Sequence, residues 1–493
     1  MSVPNPPIGI PIVIALQSTG QFNGRLGPGS SALGTFFAEE FRARRERYPN
    51  SRFVLYIRAA EGLTELARAA AAACNIAVLE APAGALVPLC HLLIDVSVAA
   101  AGEPATATLS AQAAEEDSLE FEAELKVEVI RLQWPAGHEP LRQMTSLFGL
   151  DGAVSDHLVH PAPENRLMMR TDRFNRDAQA QLPVPISSDD GELSIETLYG
   201  RADALALAFQ RKSHLAFRLI FALACMAAVS YGCFLAAANS RVELQDELIG
   251  GYIALILISY CVFLYARRLD LHSRFVEYRA LAEGLRVQHY WHACGLARSA
   301  AAAYLIRQPL DYQWIRLALW RAAAANPPTS RPGGAQDPAV PGVLQGWIDD
   351  QQQYFMRSQA RSARVEVRMR YLVAGIFLLG VCASLTIMFA RHLPVSKPIQ
   401  LRLSLISFLC PGVSAAIVAL VTKLGLLYQA SHYGRMQAIF DQARRRLRRQ
   451  PAETAGRIAG ALGEEALLEN ESWAQFRRER GLDEPTSPLR RPW

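Results

Sequence analysis

The sequence predicts two architectures in one chain: an N-terminal α/β domain, then an all-α membrane region with four transmembrane helices and long cytoplasmic helices. Three observations support this division. Hydrophobic residues make up 51% of the 493 residues, strand-like and helix-like segments alternate before residue 150, and four long uncharged windows follow residue 210. We therefore expect, in order, a cytoplasmic α/β domain (1–150), a linker (151–210), a first transmembrane hairpin with cytoplasmic helices (211–325), a flexible Pro/Gly linker (326–342), a second hairpin with cytoplasmic helices (343–482) and a tail (483–493).

The N-terminal domain is predicted from the order of its segments. Short apolar runs alternate with helical patterns such as ALGTFFAEEFRARRERY and GLTELARAAAAACN. Strands that alternate with helices favour a parallel α/β sheet. The first run is also too short to span a bilayer. The five predicted strands are Ile8–Leu16, Phe53–Ile57, Ile76–Leu79, LLIDVSV and VEVIRLQW.

A glycine-rich loop follows the first predicted strand and is the candidate ligand-binding segment. Free backbone N–H groups at the start of a helix can hold a phosphate group. Neither a G-x-G-x-x-G nor a P-loop spacing is present, so an ordinary flexible loop is the alternative interpretation. The candidate residues are Gly20, Gly24, Gly27, Gly29, Ser30 and Ser31.

The domain resembles the SLOG-type Rossmann-like domains, which occur in bacterial proteins fused to transmembrane effector segments of the SLATT type. The resemblance lies in the order strand, loop and long helix, in IRAAEGLTELARAAA and TDRFNRDA, and in the cytoplasmic helices EYRALAEGLRVQHYW and LGEEALLENESWAQFRRERGLD. It implies a Rossmann-like fold, a nucleotide as the ligand class, and Glu61 and Gly62 as further ligand-binding positions.

Three motifs of that family are altered in this chain. The first strand continues as ALQSTGQ, without the family's His-Arg, and Ala60-Glu61-Gly62 is followed by Leu63-Thr64. AAAGEPATATLSAQAAEEDSLEFE occupies the place of the Gly-Gly-x-x-Thr phosphate loop. We therefore expect a degenerate sensor domain that holds no cofactor and responds to a nucleotide or a protein.

Four windows of about 20 residues carry no charge, and each is long enough to cross about 30 Å of hydrocarbon. Arginines lie before the first and third windows and after the second and fourth. The first hairpin loop, NSRVELQDE, is acidic on balance. The positive-inside rule then predicts a multi-pass protein of the inner (plasma) membrane with both termini in the cytoplasm. The second loop, with three basic residues, is the one exception. The windows are Leu219–Ala238, Leu248–Ala266, Tyr371–Ala390 and Leu403–Thr422.

Two features inside the spans predict close helix packing. Ala224, Ala228 and Gly232 recur every four residues of the first span and form a small-residue face on which another helix could pack. In the fourth span, Pro411 and Gly412 predict a kink, which could be a hinge or pore-lining element or simply a packing feature. Because no Asp, Glu, Lys, Arg or His lies inside any span, the sequence argues against an ion-coupled transporter.

The segment EYRALAEGLRVQHYW, just after the second span, predicts one amphipathic helix. Arg279, Glu283 and Arg286 fall on one stripe, and Gly284 forms a notch on another face. The stripe could be a solvated set of ion pairs, a charged seam that couples the domain to the spans, or a catalytic site. We expect coupling or structural roles for these residues.

A second cytoplasmic helix after the fourth span carries the arginine run ARRRLRR. We expect this run to contact anionic lipid headgroups. Nucleic-acid binding is not expected, because the run follows a transmembrane span.

The sequence contains none of the catalytic or metal-binding patterns that would indicate an enzyme. HExxH, G-x-S-x-G and Walker motifs are absent, and the eight cysteines show no CxxC spacing. The favoured function is a sensor domain that controls a homo-oligomeric transmembrane assembly, a membrane-perturbing or pore-like effector of stress or antiphage defence. The alternatives are a membrane-anchored nucleotide-processing enzyme and a non-catalytic membrane scaffold.

Overall fold

The computed structural model describes residues 9–19, 30–59, 61–80, 91–98, 128–134, 141–145, 166–181, 194–238, 245–306, 312–326, 340–390, 397–423, 426–449 and 454–481. The chain forms two compact units. The first, here the α/β unit, comprises Met1–Ala202, Leu281–His292 and Ala297–Thr329. The second, here the membrane unit, comprises Asp203–Ala280, Ala293–Leu296 and Ser330–Trp493.

The described residues contain six strands and eleven α-helices. The strands are β1 Ile12–Thr19, β2 Phe53–Arg58, β3 Ala77–Glu80, β4 Leu92–Val98, β5 Glu128–Trp134 and β6 Leu141–Thr145. The helices are α1 Ser30–Arg47, α2 Glu61–Ala73, α3 Arg166–Gln181, α4 Ile195–Ala238, α5 Gln245–Arg268, α6 Leu271–Ala293, α7 Gln313–Ala325, α8 Val340–Ala390, α9 Lys397–Lys423, α10 Leu426–Arg449 and α11 Ala455–Glu479.

The α/β unit is built on one sheet with strand order β3-β2-β1-β4-β5-β6. The first five strands pair in parallel, and β6 pairs antiparallel with β5 at the edge. The parallel sheet that the sequence predicts is confirmed for all five predicted strands. The short antiparallel strand β6 was missed, because LRQMT carries little of the apolar signal of a strand.

One face of this sheet packs against α1 and α2. Alternate residues of β1 and β2 point to this face, since side chains alternate along a strand. Ile14 of β1 and Leu55 of β2 contribute to a fully buried cluster with Phe37 and Phe41 of α1 and Leu63 of α2. The apolar pattern of the first 75 residues is explained by this layer.

The opposite face of the sheet is also buried, and α7, from a distant part of the sequence, contacts it through Arg321 and Tyr56. Val13 and Ala15 of β1 point to this face and are fully buried. Helix α3 packs against β1, and α7 packs against α3. Helix α7 is buried on nearly every side, as expected for a helix inside a folded unit.

The compact units of the structure have bounds that differ from two of the predicted domain boundaries. The expected linker 151–210 contains all of α3 and the first turns of α4. The expected N-terminal domain 1–150 also extends to residues that follow the first hairpin, including α7. The pattern of the first 150 residues could not reveal these two helices, because α3 follows residue 150 and α7 follows two spans.

The membrane unit contains the four predicted spans. Helices α4, α5, α8 and α9 each include a stretch that is long and apolar enough to cross a membrane. The prediction of a multi-pass membrane protein is supported at this level. Helix α8 begins far before its apolar stretch, and α10 and α11 pack with this part of α8 in a helical bundle.

The two predicted linkers around the second hairpin are partly or wholly outside the described residues. Helix α8 begins at Val340, so the end of the predicted Pro/Gly linker is helical. Residues 327–339 of that linker and the predicted tail from 483 to 493 are outside the described part of the chain.

Candidate functional site

Helix α3 is fixed to the segments just before β1 and β2 by two polar side chains of the sequence TDRFNRDA. Asn175 accepts a hydrogen bond from the Ile10 N–H at 2.8 Å and donates one to the Ile10 carbonyl at 2.8 Å, as a neighbouring strand would. Asp172 accepts bonds from the Asn50 backbone N–H at 2.9 Å and from the Ser51 hydroxyl at 3.0 Å. These side chains form hydrogen bonds with other parts of the protein, so their role is structural.

His91, immediately before β4, is fully buried and lies beside the polar side chains of α3. Its Nδ1 accepts a hydrogen bond from the Val13 N–H at 3.1 Å, so the proton resides on Nε2, 3.1 Å from the Thr171 hydroxyl. Burial, with the nearby Arg321 charge as a smaller cause, lowers the pKa of His91 to about 3. The imidazole is therefore neutral at physiological pH and acts as a fixed connector between β1 and α3.

Helix α7 contacts the sheet through Arg321, on the face opposite α1 and α2. Its Nη1 donates a 2.7 Å hydrogen bond to the Tyr56 hydroxyl of β2, and the guanidinium lies 5.2 Å from the centre of the Tyr56 ring. Nearby, Trp314 of α7 packs on Phe174 of α3, with ring centroids 5.8 Å apart. Sequence reasoning missed this cluster, since nothing local to residue 321 indicates a partner in β2.

The charged residues of the predicted stripe on α6 form partly buried ion pairs. Arg286 donates from Nη1 to Glu283 at 2.8 Å and from Nη2 to the Tyr199 hydroxyl of α4 at 2.9 Å. Arg279 forms an ion pair with Asp203 of α4. The Arg286 and Glu283 side chains are only 15% and 18% exposed, so a fully solvated stripe does not describe them. The same two helices are thus tied together in both units.

The predicted notch at Gly284 is filled by α7. A Cβ atom on Gly284 would lie 2.7 Å from Leu319 Cδ1 and 3.2 Å from the Tyr304 ring. Residues around it, including Leu281, Leu285 and Trp291, are fully buried. The absence of a side chain at residue 284 is what allows α6 and α7 to approach.

A buried glutamine, also missed from the sequence, completes the turn between α6 and α7. Gln288 is fully buried, accepts a hydrogen bond from the Ala300 N–H at 2.7 Å and donates one to the Arg298 carbonyl at 2.9 Å. Its amide therefore satisfies backbone groups beside the short 3₁₀ turn Ala300–Ala302 that would otherwise need backbone partners. The turn positions α7 for its contact with the sheet.

The glycines of the spans mark close helix contacts around Pro411. Gly232 of α4 lies against Phe408 and Leu409 of α9. A Cβ on Gly380 of α8 would be 2.9 Å from Cys410 Cβ and 3.0 Å from Pro411 Cδ. The helix continues through Pro411, which favours the packing interpretation of this residue over a hinge.

The other small residues singled out in the spans make fewer contacts. Ala224 and Ala228 are exposed within the chain, and a Cβ on Gly412 would meet no atom within 4 Å. The small-residue face of the first span is therefore only partly used by the chain itself. Gly232 is the member of that face for which a partner helix is seen.

The predicted ligand-binding residues are not tested by this structure. Gly20, Gly24, Gly27 and Gly29 lie outside the described residues. Ser30 and Ser31 open α1, and Glu61 and Gly62 open α2, but their side chains are likewise outside the described part. Both helix starts follow parallel strands, the position that the sequence argument required.

Among the residues that the structure describes, no group of three or more His, Cys, Asp or Glu side chains could hold a metal ion. Comparisons with known protein-family models, with curated proteins and with solved structures gave no match. Function must therefore be argued from the geometry of the chain itself.

Proposed function

We propose that this chain is a multi-pass inner-membrane protein in which a Rossmann-like cytoplasmic unit controls a helical transmembrane assembly. One observation carries the proposal: helices α4 and α6 each contribute residues to both units. Ile195–Ala202 and Leu281–His292 belong to the α/β unit, and the remaining parts of the same helices belong to the membrane unit. A displacement of these helix ends would pass along rigid helices toward the spans.

The strand order supports a Rossmann-like origin of the cytoplasmic unit. The parallel order β3-β2-β1-β4-β5 matches the central strands of doubly wound nucleotide-binding folds. In such folds, ligands bind outside the carboxyl ends of the strands, near the crossover between the two halves. In this chain that position corresponds to the ends of β1 and β4, beside the predicted glycine-rich segment. A SLOG-like sensor with altered motifs is consistent with this order.

The polar side chains that join α4 and α6 are the coupling elements in this proposal. Arg286 bridges Glu283 and Tyr199, and Arg279 pairs with Asp203. Partly buried, hydrogen-bonded charges hold two helices in one register, since breaking one partner leaves the other charge uncompensated. The α/β unit would shift the spans by changing this register.

The proposed output is a membrane-perturbing assembly of several copies of the chain, triggered by a nucleotide or a protein. Only 11%, 0%, 11% and 6% of the apolar windows in the four spans are buried inside one chain. Most of each span is thus available to lipid or to another copy. Both termini would lie in the cytoplasm, as the basic flanks predict.

Membrane potential in bacteria that express the chain tests this function. A potential-sensitive dye should report depolarisation after phage or stress challenge, and the Arg286→Gln variant should reduce it while Arg298→Gln, outside the α4–α6 contact, retains it. Depolarisation that is unchanged by Arg286→Gln would remove the coupling. A stable potential under every trigger, with release of product from a nucleotide panel, would favour the membrane-anchored enzyme; without product it would favour the scaffold.

A further inference from the structure

The arginine run at the end of α10 lies far from the apolar stretch of α8, whereas the sequence argument expected this run to contact lipid headgroups. Helix α8 is continuous from Val340 to Ala390, so the number of residues along it gives the distance from the apolar stretch. Trp347 lies about 24 residues before Tyr371, where the apolar span begins, which corresponds to about 36 Å along a helix. Phe440 of α10 packs edge-on against Trp347, with ring centroids 6.0 Å apart.

Helix α10 runs antiparallel to α8, so the arginines lie beyond Phe440 on the side away from the span. Tyr433 contacts Tyr354, whereas Phe440, further along α10, contacts Trp347, which is earlier in α8. Residues 446–449 add about 10 Å to the distance from the span. Electrostatic attraction across water decays over a Debye length of about 8 Å at physiological salt. Headgroups of the bilayer that holds α8 are therefore out of reach.

The side chains of this run form a patch of positive charge, here the distal arginine patch (Arg444, Arg445, Arg446, Arg448 and Arg449). Four of the five are exposed, and Arg444 is half-buried. Asp441 forms ion pairs with Arg444 and Arg445, whose hydrogen bonds lower the pKa of its carboxyl group. Within the described part of the chain, Arg446, Arg448 and Arg449 form no ion pair. The patch thus keeps an excess of positive charge.

The patch also lacks the apolar anchor that a protein partner would use. Hot spots of protein interfaces are buried aromatic and arginine anchors in a packed centre. The exposed large hydrophobic side chains of the described residues include none between Phe389 and Leu468 other than Ile399, Phe408 and Val418, all three in α9. Ala443 and Phe440, on the other side of α10, are already buried within the bundle. What the patch offers is charge and guanidinium donors alone.

We propose that the distal arginine patch binds the phosphodiester backbone of a nucleic acid. Neighbouring arginines at i and i+3 or i+4 stand about 5–6 Å apart on a helix and present planar, bidentate donors that match phosphate oxygens. Binding that depends on charge, with no apolar contribution, is the behaviour of sequence-independent nucleic-acid contacts. The sequence argued against nucleic-acid binding because the run follows a span. The distance between the run and the apolar stretch, measured along α8, removes this argument. The proposal is independent of the function proposed for the α/β unit.

Fluorescence anisotropy of a labelled single-stranded DNA oligonucleotide tests this assignment. The full chain is held in nanodiscs of neutral phosphatidylcholine, so that anionic lipid makes no contribution. The test variant is Arg446→Gln/Arg448→Gln/Arg449→Gln. The matched control is Arg361→Gln/Arg364→Gln/Arg368→Gln, which removes the same charge from exposed positions of α8 near the span. Circular dichroism and thermal unfolding confirm that both variants fold.

The wild type and the control should bind with an affinity that falls steeply with salt. The distal variant should bind at least tenfold more weakly, and its slope of log K against log salt should be smaller by about 2, at about 0.7 per lost phosphate contact. Equal binding by the distal variant and the wild type would overturn the proposal. An equal loss in the control variant would overturn it too. Tighter binding of polyglutamate than of DNA would assign the patch to an acidic protein, and tighter binding of phosphatidylglycerol vesicles would assign it to a second membrane.

Discussion

Arg321 donates a 2.7 Å hydrogen bond to the hydroxyl of Tyr56, although 265 positions and two transmembrane spans separate the two residues in sequence. The contact belongs wholly to the α/β unit. It shows that this unit is not a separate N-terminal module, because helix α7 supplies part of its second layer. Chain segments on either side of the first hairpin must meet before the unit is complete.

Removal of the Tyr56 hydroxyl should destabilise the α/β unit. In Tyr56→Phe, the Arg321 guanidinium loses its hydrogen-bond acceptor while it remains only 7% exposed. A hydrogen bond to a charged group contributes about 1.5–3 kcal/mol. Hydrogen exchange of the β2 amides should therefore become faster in the variant. Tyr371→Phe, at a phenol that is 74% exposed, should leave that exchange unchanged. Equal protection in Tyr56→Phe and the wild type would show that the bond contributes nothing.

His91 predicts a loss of stability in acid. Its pKa is lowered from 6.5 to about 3 in the folded protein, so the unfolded chain binds the proton first as the pH falls. The stability that the neutral imidazole contributes is complete above pH 6.5 and is lost progressively between pH 6.5 and about 3. Thermal unfolding of the full chain in detergent across this range measures the effect.

The control for the His91 prediction is His91→Asn, whose amide oxygen can accept the Val13 hydrogen bond without titrating. This variant should be less stable at neutral pH, because the bond to Thr171 is lost, and its stability should fall less steeply in acid. An acid dependence as steep as that of the wild type would assign the effect to other groups.

Gly284 and Leu319 should behave as a complementary pair. Gly284→Ala places a methyl group 2.7 Å from Leu319 Cδ1, so either the Leu319 side chain must change its rotamer or α6 and α7 must move apart. The variant should be destabilised by about 1–3 kcal/mol, measured by hydrogen exchange of α7. Leu319→Val in the same chain makes room and should recover part of the loss. Additive losses in the double variant would mean that the two side chains do not share the space.

Gly380 should be far more sensitive to substitution than Gly375 in the same span. A Cβ on Gly380 would meet Cys410 and Pro411 of α9, whereas a Cβ on Gly375 would meet no atom within 4 Å. Close contact at small residues stabilises helix pairs in membranes mainly through packing. Gly380→Val should lower the temperature of unfolding in detergent, and Gly375→Val should not. Similar values for the two variants would contradict the close approach of α8 and α9.

The sequence predicted what local pattern determines. Uncharged windows of about 20 residues specify spans whatever surrounds them, and LLIDVSV became β4 with the predicted bounds. On α6, the helical period alone placed Arg279, Glu283 and Arg286 on the least buried stripe and Gly284 in a contact.

What the sequence could not predict depends on contacts between distant segments. The sequence of α3 resembles a polar linker because its buried polar residues have distant partners. Asp172 and Asn175 form hydrogen bonds with segments that precede β2 and β1, which no local pattern indicates. The Arg321–Tyr56 contact has no local signature at all. The distance of the distal arginine patch from the bilayer depends on the continuity of α8. Local composition does not predict that this helix is uninterrupted.

A photo-cross-link from position 56 tests the central claim most directly. A photoactivatable phenylalanine replaces Tyr56, and a protease site is introduced at 182–193, between the sheet and the first span. After irradiation of native membranes and cleavage, the N-terminal fragment should migrate on a denaturing gel with the C-terminal fragment, cross-linked within Gln313–Ala325. Complete separation of the two fragments, or a cross-link only to sites outside α7, would contradict a cytoplasmic unit built from both sides of the first hairpin.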